Sequence, residues 1–137
     1  MALIEWTRDL SVEIDALDDQ HRQLVDIVNQ YDDAIRRELE PRQINEILND
    51  LIGYTQEHFG YEENLLAEAG YPGIRHHQDL HRQFLQKIER FQFDFVQGDA
   101  KVLQEIREYL KYWLISHIVM DDNDYIKPLK HDSQTTV

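Results

Sequence analysis

Two pairs of side chains with metal-ligating chemistry stand four residues apart in this chain: His58 with Glu62, and His77 with His81. Residues four apart share one face of a helix, so each pair can clamp a single ion. One such pair is weak evidence, because two histidines at this spacing occur by chance on many helix surfaces. Two pairs joined by His21 and His117 make a far stronger pattern, provided all six residues reach one place. The remaining histidines do not join them. His76 adjoins His77 but points roughly 100° away on a helix, and His131 lies in the polar tail 130–137.

The elements that must position these residues are legible from apolar residues recurring at intervals of three and four. A first helix is predicted over about 19–39, with Asp18 as its N-cap and the stripe His21, Leu24, Val28, Tyr31, Ile35. Glu40-Pro41 breaks the chain, and Pro41 suits the first position of a second helix over 41–69. That helix carries Ile44, Leu48, Leu51, Thr55, His58 and Glu62 on its stripe. Gly70-Tyr71-Pro72-Gly73 ends it, with Gly70 in the left-handed C-terminal position. A third helix over 74–96 carries His77, His81, Phe84, Ile88, Phe91 and Phe95. Gly98 closes it, and Asp99 is placed to cap a fourth over about 100–119, with Leu103, Ile106, Leu110, Trp113 and His117 inward. Residues 1–17 form an arm whose Ile4, Trp6, Leu10, Val12 and Ile14 pack across the bundle, and 121–137 are a short segment and tail. The expected fold is all-α: one domain, an up-down-up-down four-helix bundle.

That topology turns scattered residues into a layer. His21 is near the start of the first helix, and His58 and Glu62 are near the end of the second. His77 and His81 are near the start of the third, and His117 is near the end of the fourth. In an alternating bundle these ends lie level. Burying a carboxylate among imidazoles is costly unless something binds them. A metal resolves the conflict.

Composition narrows the remaining classes. Of 137 residues, 14 are Lys or Arg and 27 are Asp or Glu, for a formal charge of −13. Such a field repels nucleic acid and anionic lipid alike. The absence of cysteine excludes disulfides, iron–sulfur clusters and a thiol nucleophile. No run approaches the roughly 20 apolar residues of a membrane span, and residues 1–10 lack the apolar core of a signal peptide. The default reading is a soluble cytoplasmic protein.

With these residues in view, the chain resembles the bacteriohemerythrins. The resemblance runs from Trp6 through Asp18-Asp19-Gln20-His21 and His58-Phe59-Gly60-Tyr61-Glu62-Glu63. It continues through Gly70-Tyr71-Pro72 and His77 to His81 with Phe84, and ends at His117 and Asp122. Leu66 stands where the family commonly has methionine. The resemblance implies a non-haem di-iron centre with ligands His21, His58, Glu62, His77, His81, His117 and Asp122. His77, His81 and His117 would hold one iron, and His21 and His58 the other. Glu62, Asp122 and an oxo or hydroxo group would bridge them. The iron with two histidines keeps an open site, where dioxygen binds end-on as hydroperoxide. Simple helix geometry favours Asp121 over Asp122, since four residues after His117 share its face and five are displaced by roughly 140°. A π-type turn near His117 reconciles the two.

The implied activity is reversible oxygen carriage, storage or delivery with no net chemistry on a substrate, hence not an enzyme. An oxygen or redox sensor module and a di-iron peroxide-handling enzyme are the alternatives. Dioxygen is the expected ligand, with an oxygen-consuming protein as the partner still to be identified. Leu114 and Trp113 are candidates for the wall of the oxygen pocket, or ordinary core.

Overall fold

The computed structural model describes residues 2–12 and 14–118. Its helices are α1 (Asp15–Arg36), α2 (Pro41–Glu68), α3 (Ile74–Val96) and α4 (Val102–Ser116). Each packs on the next, and α4 closes back on α1, giving the up-down bundle expected from the apolar stripes. Leu24, Leu48, Leu51, Phe84, Ile88 and Leu110 fill the centre and are almost wholly buried. Among the described residues no helix is long and apolar enough to cross a membrane. Asp121, Asp122 and His131 lie outside the described residues.

The helix ends follow a common chemistry. After α2 and α3, Gly70 and Gly98 take positive φ values of 66° and 102°, as expected. The amide three residues beyond each helix's last residue then returns to it: Tyr71 N–H to Leu66 C=O, and Asp99 N–H to Asp94 C=O. These bonds satisfy carbonyls that a helix end leaves open. α1 closes in the same way, but with Glu38 at φ 53° and Leu39 N–H bonded to Ala34 C=O. A glutamate in the left-handed region carries no sequence signature. The left-handed turn at Glu38 thus ends α1 at Arg36, short of the expected Leu39.

Two starts also differ from expectation. α1 begins at Asp15, so Asp18 is not its N-cap but lies buried within its first turn. The Asp18 carboxylate faces back toward the amino-terminal arm, accepting from Ser11 Oγ at 2.6 Å and from Val12 N at 2.8 Å. α4 begins at Val102, two residues later than expected. Asp99 precedes the helix and accepts from the Lys101 amide at 3.1 Å, while Lys101 occupies the capping position. Pro41 does open α2, preceded by a capping box in which the side chains of Glu40 and Gln43 each take the other's backbone amide.

The arm is held by more than Asp18. Ile4, Leu10 and Val12 are buried, and Trp6 and Ile14 pack against the core. The Asn29 side chain pairs both ways with the Ile4 backbone, each bond 2.9 Å long. Replacing Asp18 with alanine removes a charged acceptor from two donors, and bonds of this kind contribute about 1.5–3 kcal/mol. The expected loss is about 2 kcal/mol in denaturant unfolding, with faster amide exchange at Val12. An unaltered midpoint would mean that apolar contact alone holds the arm.

At the end of the bundle away from the histidines, polar ties join α1 to α4. Tyr31 donates to the Leu103 carbonyl at 2.7 Å. Asp32, also buried, is paired with Arg36 at 3.0 Å and with Arg107 at 2.7 Å.

Candidate metal centre

All six residues of the expected layer are buried: His21, His58, Glu62, His77, His81 and His117. They converge because α1 and α3 start, and α2 and α4 end, at the same end of the bundle. Glu62 sits at the middle. Its Oε1 is 2.6 Å from His58 Nε2, 3.1 Å from His117 Nε2 and 3.5 Å from His21 Nε2. Its Oε2 is 3.1 Å from His81 Nε2. The ligating atoms of His21, His58, Glu62 and His117 lie within 4.8 Å of one another, close enough to share one ion.

His77 and His81 form the other side of the layer, their ring centroids 5.8 Å apart. The His117 ring borders both groups, 5.5 Å from His81, 5.7 Å from His58 and 5.9 Å from His21. Beyond Ser116 the backbone widens, and His117 and Ile118 adopt π-helical form.

The electrostatics suit a cation. Burial works against the charge on Glu62, but His117 and His58 outweigh it and hold its carboxyl well below the usual carboxylate range. Burial also lowers the pKa of His58 to about 4 and that of His77 to about 4, more than Glu62 raises either. Near neutral pH the layer therefore presents a carboxylate and uncharged imidazoles at these positions, the protonation states that metal ligation requires. Glu62 Oε2, His58 Nε2 and His81 Nε2 are wholly buried and, despite their closeness, in no hydrogen bond of proper geometry. Buried polar atoms in that condition are rare and call for an explanation. A bound ion among them supplies one.

The surrounding walls are aromatic and aliphatic. Phe59 stacks on His81, with centroids 3.7 Å apart and planes 2° from parallel. Trp113 stacks on His117 at 4.7 Å and 9°. Trp113 also stacks on Phe84 at 3.8 Å and meets Phe59 edge-on at 5.6 Å. Leu114 is buried and, with Trp113, Phe84, Leu24, Val28 and Leu51, lines a narrow apolar pocket in the core. His76 is exposed, in keeping with its place off the stripe.

Sequence reasoning missed one polar neighbour of the layer. Gln20 reaches from α1 to α2 and puts its Oε1 2.7 Å from His58 Nδ1. As the residue before His21, it would be expected to point roughly 100° off the inward stripe. That offset aims it into the seam between α1 and α2, which periodicity alone does not distinguish from the surface.

A four-helix bundle with histidines from every helix around one buried carboxylate is a metal-binding bundle. The chain matches the family model described as the hemerythrin HHE cation binding domain over residues 12–129, and it belongs to the hemerythrin family. It is 33% identical over 130 residues to a bacteriohemerythrin of Stenotrophomonas maltophilia, covering 95% of this chain and 84% of that one. A bacteriohemerythrin of Clostridium acetobutylicum is 30% identical over 125 residues, covering 88% and 97%. The crystal structure of wild-type hemerythrin superposes with a TM-score of 0.83 at 30% identity, covering 90% of this chain and 95% of that one.

Proposed function

We propose that this chain binds dioxygen reversibly at a pair of iron ions and acts as a carrier or store rather than an enzyme. The observation that carries this reading is the buried layer itself, in which four imidazoles surround one carboxylate and a fifth, that of His77, lies beside His81. Such a set is rich in nitrogen and poor in charge, unlike the carboxylate-rich sets of ferritin-like bundles. The bacteriohemerythrin relatives support the same reading.

The proposed ligands are His21, His58, Glu62, His77, His81, His117 and Asp122. Asp122 is included on the family pattern, and the π-helical backbone at His117 and Ile118 favours it over Asp121, since widening a turn brings the fifth residue toward the face of the first. Two ferrous ions held there would supply the two electrons that dioxygen takes up on binding and returns on release. The chain's own contribution is otherwise plain. Glu62 holds negative charge at the centre, and burial keeps His58 and His77 neutral near pH 7. Leu114, Trp113, Leu24 and Phe84 keep water from the apolar side. Dioxygen is then the ligand, and an oxygen-consuming protein is the natural recipient.

Anaerobic loading with ferrous iron, followed by cycles of oxygen addition and removal, tests this reading. Two irons per chain and a visible band that appears and disappears with oxygen are expected. One metal per chain, or immediate irreversible oxidation, would overturn it. His77→Ala is expected to prevent loading of the second ion. Asp122→Ala should do the same and Asp121→Ala should not; equal tolerance of all three would sink the ligand assignment.

A further inference from the structure

We propose that Gln20 is a positioning residue for the metal centre, fixing the tautomer and ring orientation of His58 from the neighbouring helix. Gln20 is half-buried in the seam between α1 and α2. Its Oε1 lies 2.7 Å from His58 Nδ1, a full-strength hydrogen-bond distance. The other ring nitrogen, Nε2, faces Glu62 Oε1 at 2.6 Å, in the middle of the layer. The two nitrogens therefore have separate tasks. A neutral imidazole carries one proton, and an acceptor at Nδ1 holds it there, which leaves the Nε2 lone pair directed at the ligand cluster. Outer acceptors of this kind orient the ring and raise its basicity toward a metal.

His81 is held differently. Its Nδ1 has Glu63 Oε2 at 3.5 Å, but no hydrogen bond forms there. His81 is oriented instead by stacking flat on Phe59. His58 meets Phe59 only at a tilt, with centroids 6.0 Å apart, so its ring lacks that clamp. Gln20 supplies the constraint from the opposite side. Gln20 and His21 are consecutive on α1, so one turn of helix delivers both a ligand candidate and the support for a second on α2.

This proposal rests on the layer binding metal, though not on how many ions it holds or on whether oxygen binds. Its test uses the full chain with Gln20→Met, which keeps the length of the side chain and removes the acceptor, and Gln20→Glu, which keeps an acceptor oxygen at the same reach. Ferrous iron affinity is measured anaerobically by competition with a chromophoric chelator. Nitrogen-15 spectra of the zinc-loaded proteins report the His58 Nδ1 proton. Gln20→Met is expected to weaken the affinity by about 10–100-fold and to speed exchange of that proton with water, whereas Gln20→Glu retains wild-type affinity and a protected proton. The proposal is overturned if Gln20→Met holds iron as tightly as wild type. It is equally overturned if Gln20→Glu fails alongside it while both keep wild-type helicity and melting. Failure of the oxygen-binding reading would look different: the wild-type chain would take up a single ion or oxidise irreversibly, with the ratio between variant and wild type still measurable.

Discussion

Exchanging Glu62 for glutamine is expected to abolish tight metal binding while leaving the four helices folded. Glu62 is the carboxylate that the imidazoles surround: four of their nitrogens lie within 3.5 Å of its two oxygens. Glutamine keeps the volume but replaces a charged oxygen with an NH2 group that cannot ligate. The loss should exceed the roughly 100-fold that removal of an outer-shell group reaches. The metal-free protein should respond far more mildly. Glu62 is held ionised below the usual carboxylate range, so its charge contributes to the folded state, and the variant without metal should melt at the same temperature or lower. Metal content after anaerobic loading and desalting, with helical melting curves, reads both effects. Retention of two ions per chain by Glu62→Gln would remove this carboxylate from the site.

The second large effect is acid destabilisation of the metal-free bundle. Burial lowers His58 and His77 to about 4, against an ordinary value of 6.5. Between those two values the unfolded chain binds protons that the folded chain does not. Stability is therefore complete above about pH 6.5, falls as pH drops toward 4, and levels off below it, where both states are protonated. At 1.36 kcal/mol per unit, each histidine contributes roughly 3 kcal/mol to that fall. Folded domains have only about 5–15 kcal/mol in hand, so the change is large. Glu62 adds its own loss later, at still lower pH, because its pKa is depressed rather than raised. Urea midpoints of the metal-free protein from pH 7 to pH 4 check this. The paired variant His58→Asn, His77→Asn should flatten the profile, and a wild-type midpoint constant across the window would refute it. With iron bound, protons compete for the same imidazoles, and acid should release the metal.

Much of this architecture was written in residue periodicity. The inward stripes placed His21, His58, Glu62, His77, His81 and His117 on helix faces, and alternation of four helices made them one layer. Pro41, Gly70 and Gly98 mark their boundaries because each has a backbone preference that a sequence displays directly. The misplaced boundaries have the opposite character. Glu38 adopts a left-handed conformation that its side chain does nothing to favour, and only the closure onto Ala34 requires it. Asp18 has the composition of a cap, but its carboxylate is drawn to Ser11 and Val12 of the arm, a tertiary contact invisible to local pattern. Gln20 escaped notice for a related reason. Its partner is 38 positions away, and only packing of α1 on α2 brings them together.

The separation of the Tyr31 and Asp32 ties from the histidine layer bears on how the protein comes to hold its metal. The ties to Leu103 and Arg107 fasten the first and last helices at one end, and the middle of the bundle is apolar. Chelator-treated protein is therefore expected to keep its helicity and a cooperative melt, with metal loading a separate and later event. Bound metal then adds stability in proportion to the logarithm of its free concentration, so the melting temperature is expected to follow the metal supply.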